Sequence, residues 1–309
     1  MSALGQMADD YLRLRRALGH KLDDAGRLLP RLVAYLETIG AQTVTIQAAL
    51  AWAQQPDAQP GSTVWATRMT IARGFARHLA GIDPRTEVPP AGLVTCSRHR
   101  RVPYIYSPAD IAAVRAQARG SIPSPLRAAT FDTMIGLLAT TGMRIGEVIA
   151  LDRSDIDWSE GVLLVRQSKF GKSRQVPIHT STTTALADYA GQRDQLQRSP
   201  RTSAFLCSVA GTRLIYSDVS HTFRKLVDSA GIAPGSAVRP RIHDLRHSFA
   251  VQTLLDWYRN GEDVQARLPW LSTYLGHREP RYTYWYLSAV PELLALAARR
   301  LQDAGKGQR

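Results

Sequence analysis

Residues 161–178 read GVLLVRQSKFGKSRQVPI. Gly161-Val162-Leu163-Leu164-Val165 is a short apolar run with strand character. Ser168-Lys169-Phe170-Gly171-Lys172-Ser173-Arg174 has the composition of a polar turn, and Gln175-Val176-Pro177-Ile178 resumes the extended pattern. The spacing predicts an antiparallel hairpin. Proline has no N–H to give a central strand, so the strand carrying Pro177 belongs at a sheet edge.

On both sides of the hairpin the period changes to that of a helix. Upstream, Ser107 is a candidate N-cap, and helical signals cover Asp110 to Gln117 and Leu126 to Thr140. Downstream the chain is mostly helical as far as the basic tail, Lys306 to Arg309. From Asp83 to Pro108 periodicity stops. Pro84, Pro89, Pro90, Pro103 and Pro108 fall here with Arg98, His99, Arg100 and Arg101, which describes an extended basic linker. Further upstream, Tyr11, Leu12 and Leu14 precede Leu28, Leu29, Leu32, Tyr35, Leu36 and Ile39 at helical spacing, closed by Gly40. Thr45–Ala53 reads as a short helix, and Val64–Leu79 as another with Ser62 at its N-cap. Arg68, Arg73 and Arg77 on this last helix suit either a solvated face or a DNA-facing surface. The expected fold is mainly α with a small antiparallel β-sheet. A helical domain over 1–82 and a Pro-rich linker over 83–107 precede a larger domain over 108–309.

Composition narrows the class of function. The 309 residues hold 39 Lys and Arg against 26 Asp and Glu, a net charge of +13. A pI near 10.2 points to a polyanionic partner. A 44% hydrophobic fraction argues against a disordered chain. No apolar run is long enough to span a membrane, and the N-terminal stretch lacks a secretory h-region. Cys96 and Cys207 are too far apart and too few for a disulfide framework or a zinc pattern. A cytoplasmic home is expected.

Four clusters in the second domain carry chemistry. In Thr141-Gly142-Met143-Arg144-Ile145-Gly146-Glu147, Gly142 interrupts one helix and Arg144 lies near the start of the next. There a guanidinium beside free backbone N–H groups suits a phosphate, unless it merely pairs with Glu147. Lys169 or Lys172 in the hairpin turn can carry an ammonium into a DNA groove. In His243-Asp244-Leu245-Arg246-His247, three cation-capable groups share one helical face at i, i+3 and i+4, which calls for an anion between them. Histidines at i and i+4 also suit zinc, but the metalloprotease glutamate is missing and an arginine beside a divalent cation is unfavourable. Last, Leu275-Gly276-His277 is followed by Arg281-Tyr282-Thr283-Tyr284-Trp285-Tyr286. A phenolate there can attack phosphorus and leave again.

In this order the clusters resemble the catalytic domain of the tyrosine recombinase family, which includes the phage integrases. The family pattern is an arginine in a T-G-x-R-x-x-E context, a hairpin lysine, an H-x-x-R box, an L-G-H box and a tyrosine beyond it. The matching residues are Arg144 with Glu147, Lys169, His243 with Arg246, His277 and Tyr286, between about Ser107 and Gln302. Lys169 is the first lysine of the K-x-x-K turn and is preferred to Lys172. Tyr286 follows His277 at the family's spacing, with Tyr282 one helical turn earlier as its rival. The helical first domain resembles the family's core-binding domain in size and class. The stretch from Arg246 to His277 is longer than usual, and Gly261 and Pro269 place the excess in a loop around Asn260 to Leu268.

The resemblance implies a site-specific DNA recombinase or integrase, with a mobile element as its source. Arg144 and Arg246 clamp the scissile phosphodiester. His243 and His277 add hydrogen bonds and help remove the Tyr286 proton, and Lys169 protonates the departing 5′ oxygen. Glu147 orients a neighbouring base. The product is a 3′-phosphotyrosyl link that conserves the phosphodiester energy, so no cofactor is expected, and no P-loop or metal site is read. The expected partners are double-stranded DNA and further copies of the chain, as a tetramer on paired sites. A partner recombinase or accessory protein is a further expectation, and a membrane is not. After Pro291, the stripe Leu293, Leu294, Leu296, Ala297 and Leu301 is either a core helix or the segment that docks on a neighbouring subunit. Two alternatives use the same residues: a type IB topoisomerase-like enzyme, or a DNA-binding architectural protein without catalysis.

Overall fold

The structure is a computed structural model and describes residues 2–59, 62–94, 102–166, 173–277, 279, 281–289, 293 and 295. The chain divides into two compact units, Met1–Arg101 and Val102–Arg309.

The first unit has four described helices: α1 (Ala3–Ala17), α2 (Asp23–Thr38), α3 (Ile46–Ala53) and α4 (Thr63–Leu79). The Ser2 and Thr45 side chains cap α1 and α3 by accepting from the N–H groups of Gly5 and Ala48. Leu29, Leu32 and Leu36 keep one face of α2 apolar and bury it with Trp52 and Phe75. Two of the three α4 arginines fit neither reading made from sequence. Arg68 is buried, forks onto the Asp57 carboxylate and lies over the Trp52 ring. Arg73 donates to the carbonyls of Pro89 and Pro90 at 2.7 and 2.8 Å. Those two guanidiniums serve the fold of this unit, and Arg77 is exposed. The first half of the Pro-rich stretch packs on this unit too. Thr86 bonds Thr43, and Glu87 accepts from the Ile46 N–H at 2.8 Å.

The second unit begins with a segment held by its own body. The Tyr106 N–H donates to Ser248 Oγ at 2.8 Å, and the ring is buried. Ser107 and Asp110 then form a reciprocal capping box for α5 (Pro108–Ser121), with proline at its first position. Next come α6 (Pro125–Thr141), α7 (Ile145–Ala150) and a three-stranded sheet. Its strands are β1 (Ile156–Asp157), β2 (Val162–Val165) and β3 (Arg174–Pro177). The sheet is antiparallel in the order β1-β2-β3, with Val162 opposite Pro177 and Val165 opposite Arg174. Pro177 thus lies on an edge strand. The two-residue β1 is too short to leave a periodic signal.

Helices α8 (Thr180–Leu196), α9 (Tyr216–Ser229), α10 (Asp244–Arg259), α11 (Val264–Leu275) and α12 (Arg281–Ala289) complete the described elements. The expected loop over Asn260–Leu268 is shorter than its sequence suggests. The turn ends at Asp263, whose side chain caps α11 through the Ala266 N–H at 3.1 Å, and Pro269 lies inside that helix. Val264, Leu268, Leu271 and Leu275 repeat at helical spacing and are buried against Ala250, Leu254 and Tyr286. Their packing outweighs the hydrogen bond that proline cannot make. Leu293 joins the same cluster, while Leu294, Leu296, Ala297 and Leu301 lie outside the described residues. Among the described residues no helix is long and apolar enough to cross a membrane.

Candidate active site

Two helices end in left-handed glycines, and the site is built around them. Gly142 closes α6 at φ +60°, and a side chain there would collide with the Phe249 ring. Gly276 closes α11 at φ +66°, with the His277 N–H returning to Ser272 O at 2.9 Å and the Gly276 N–H to Thr273 O at 2.9 Å. That is the double hydrogen bond of a Schellman cap, which glycine accepts without strain. It turns the chain so that His277 follows directly. It also leaves carbonyls of the last turn without helical donors, carrying the negative end of the helix dipole.

The two arginines take these carbonyls. Arg246, on α10 and 3% exposed, donates to Gly142 O at 2.8 Å and Leu275 O at 2.6 Å. Arg144, the N-cap of α7, donates to Gly276 O at 3.0 Å. The guanidinium after one cap thus holds the other cap, while Arg246 holds both. Burial, then the nearby Arg144 charge, lowers the Arg246 pKa to about 10, so it stays a cation at neutral pH.

Glu147 lies behind Arg144. It accepts from the Arg144 backbone N–H at 3.0 Å and guanidinium at 2.8 Å. Arg174, at the start of β3, adds two bonds of 3.0 and 2.8 Å and also donates to Tyr274 O at 2.8 Å. Burial would raise the Glu147 pKa, but the Arg174 and Arg144 hydrogen bonds and charges outweigh it and hold the value at about 2. Arg144 lies at the start of α7 as its spacing implies, and it pairs with Glu147. Glu147 is a carboxylate at neutral pH and is held between two guanidiniums.

The histidines and tyrosine complete the cluster. His243 is the N-cap of α10, and burial followed by the Arg246 charge lowers its pKa, favouring the neutral ring. Its ring lies 5.0 Å from that of His247, edge to face. Tyr286, on α12, is 2% exposed. Its Oη is 3.2 Å from His247 Nδ1, and its ring stacks at 6.3 Å and 22° on that of His277. Thr283, one turn earlier and fully buried, meets His277 Nδ1 at 2.8 Å. Tyr282 and Tyr284 are 40% and 48% exposed. Arg144, His243, Arg246, His277 and Tyr286 thus come together from four helices and the ends between them. Lys169 and its rival Lys172 lie outside the described residues, between Val165 and Arg174 in sequence. Among the described residues no group of three His, Cys, Asp or Glu side chains is placed to hold a metal ion.

Sequence reasoning gave no role to Arg174 or Thr283 and left His247 without one of its own. Position i+4 from His243 was the available signal for His247. Arg174 reads as an ordinary turn residue until β3 brings it against Glu147.

The model described as the phage integrase family matches residues 116–292, more than half of the chain and all of this site. The chain belongs to the phage integrase family, the tyrosine recombinases. Members of this family cleave and rejoin DNA strands, and this chain is an enzyme of that class. It is 42% identical over 310 residues to a putative integrase/recombinase, y4rB, of Sinorhizobium fredii, covering 98% of each chain. It is 32% identical to the tyrosine recombinase XerD of Mycobacterium tuberculosis, over 73% of this chain and 70% of that one. Among solved structures, the Tn1549 transposon integrase in complex with transposon right end DNA matches at a TM-score of 0.64 and 16% identity, covering 96% of this chain and 99% of that one. A lambda integrase tetramer bound to a Holliday junction matches at a TM-score of 0.60 and 18% identity, covering 92% and 76%. These structural likenesses extend the tyrosine recombinase fold over both units.

Proposed function

We propose that this chain is a site-specific recombinase or integrase of a mobile element. It cuts and rejoins duplex DNA through a 3′-phosphotyrosyl intermediate on Tyr286. One observation carries the reading: the buried Tyr286 phenol lies against the His247 and His277 imidazoles and within electrostatic reach of Arg246. Arg246 spends hydrogen bonds on neutral carbonyls, so its positive charge remains to attract an anion.

The chemistry follows from these groups. Arg144 and Arg246 bind the nonbridging oxygens of a phosphodiester, whose negative charge grows in the transition state. The Tyr286 oxygen bonds to phosphorus while the bond to the 5′ oxygen breaks. The phenolic proton passes to a base, and the leaving oxygen takes a proton from Lys169. An ordinary tyrosine pKa near 10 makes the base necessary at neutral pH. Religation reverses each transfer with another strand's 5′ hydroxyl, so phosphodiester energy is kept and no nucleotide or metal is consumed.

The first unit acts as the core-binding domain on the DNA, with 83–107 as the connection. The integrase names of the relatives support a mobile-element source. The Holliday-junction tetramer among the structural neighbours supports duplex DNA as substrate and a tetramer on paired sites, with a partner recombinase or accessory protein as an optional addition. The working location is the cytoplasm, on the nucleoid.

The test uses nicked duplexes drawn from the junctions of the host element. The expected product is a denaturant-stable protein–DNA adduct with a free 5′ hydroxyl, which polynucleotide kinase labels without prior phosphatase. Formation of no adduct on any junction would overturn the reading. Relaxation of supercoils by the monomer without any target sequence would favour the topoisomerase alternative.

A further inference from the structure

The two imidazoles packed on Tyr286 face it differently. His277 presents its ring face, and its Nδ1 is 2.8 Å from Thr283 Oγ1. His247 lies tilted, its ring centroid 5.5 Å from that of Tyr286 at 60°, and brings a nitrogen within 3.2 Å of the phenolic oxygen. A general base must lie within hydrogen-bond reach of the proton it takes, and geometry is the first criterion.

We propose that His247 is a further catalytic residue, the base that accepts the phenolic proton of Tyr286 during strand cleavage and returns it on religation. The inference rests on Tyr286 being the nucleophile. As the Oη–phosphorus bond forms and the bond to the 5′ oxygen breaks, the phenolic proton moves to His247 Nδ1. The 5′ oxygen takes its own proton from a separate acid, for which Lys169 is the candidate. The base must be neutral before the step, with hydrogen on Nε2 and Nδ1 open as acceptor.

Charged and titratable groups surround the pair. His243 and Arg246 face the pair from α10, and His277 with Tyr282 from the α11–α12 end. Arg144 lies at the start of α7, with Glu147 and Arg174 behind it. The Arg246 charge within electrostatic reach of Tyr286 stabilises a phenolate. A bound phosphodiester adds negative charge that stabilises the imidazolium once the proton has moved. The spacing is set within one helix: His247 stands one turn after His243 and next to Arg246, so the residue that holds the two helix caps also fixes the base beside it.

The experiment follows covalent trapping on a nicked duplex by the full chain carrying His247→Asn or His247→Gln. An amide keeps a hydrogen bond to the phenol but cannot take its proton. Thermal unfolding and DNA affinity identify which variant is folded and bound, and either one suffices. The expected result is trapping slowed roughly 10²–10⁴-fold at neutral pH. Replacing Tyr286 by a fluorinated tyrosine that ionises near neutral pH should restore the rate in the variant, because an ionised phenol needs no base. A structural defect would not respond to phenol acidity. Trapping at or above the wild-type rate, or a loss that the fluorinated phenol leaves unchanged, would overturn the assignment. Tyr286→Phe runs alongside: adduct formation by that variant would instead overturn the nucleophile on which the inference rests.

Discussion

Arg174 grips Glu147 through both carboxylate oxygens, at 3.0 and 2.8 Å, across 27 residues of sequence. The pair ties β3 to the helix that starts at Arg144. Its pH dependence has a definite sign. The Glu147 pKa is depressed from 4.5 to about 2 in the folded state. Its contribution is therefore complete above the unfolded value of 4.5 and drains as pH falls through about 2. The shift corresponds to about 3 kcal/mol. Urea unfolding between neutral pH and pH 2 should show an acid limb, and Glu147→Gln should flatten it. An unchanged limb in Glu147→Gln would assign acid sensitivity elsewhere.

Glu147→Gln takes the carboxylate charge from the nearly enclosed Arg174, and Arg174→Ala leaves the buried Glu147 with Arg144 as its remaining ion-pair partner. Each should cost about 3–5 kcal/mol in chemical unfolding at neutral pH. A cost under ~1 kcal/mol, the range of exposed surface pairs, would mean that solvent reaches the pair freely.

Gly142→Ala and Gly276→Ala force a side chain into left-handed backbone, at a cost of about 1–2 kcal/mol before any collision. At Gly276 the new carbon would also lie 2.9 Å from an Arg174 guanidinium nitrogen. Each variant should lose trapping activity beyond what its loss of stability explains, because the displaced carbonyls are the arginine anchors. Unfolding curves and trapping rates on the same preparations check this.

Arg246→Lys keeps a charge but loses the fork that spans Gly142 O and Leu275 O. Cleavage should fall by roughly 10²–10³, the usual cost of losing one donor to a developing anion. DNA affinity should hold, because phosphate binding is shared among many cations. Equal losses in affinity and cleavage rate would make Arg246 a ground-state binder.

Arg68→Met should leave the salt dependence of DNA binding unchanged, since the guanidinium is buried on Asp57 and Trp52. A shallower salt slope in this variant would put Arg68 on phosphate.

Much of this is legible in the sequence. The hairpin, its edge proline, the Ser107 cap and the long amphipathic helices follow from local rules, because each is settled by residues within one or two turns. Local pattern failed where distant partners decide. Arg68 and Arg73 look like a basic face until Asp57 and the Pro89–Pro90 carbonyls fold against them. Pro269 looks like a breaker until Leu268, Leu271 and Leu275 find a core. In the site, motif order gave Arg144, His243, Arg246, His277 and Tyr286. The contacts of Arg174 with Glu147 and of His247 with Tyr286 link residues 27 and 39 positions apart, beyond any helical or strand period.

The nucleophile assignment is open to direct chemical reading. A covalent complex formed on a nicked duplex, digested with trypsin and nuclease, should leave its phosphate on the peptide spanning 282–299, which holds Tyr282, Tyr284 and Tyr286. Fragmentation mass spectrometry should locate the phosphate on Tyr286, and Tyr286→Phe should form no complex. Phosphate on Tyr282 or Tyr284, or a complex that survives Tyr286→Phe, would contradict the account.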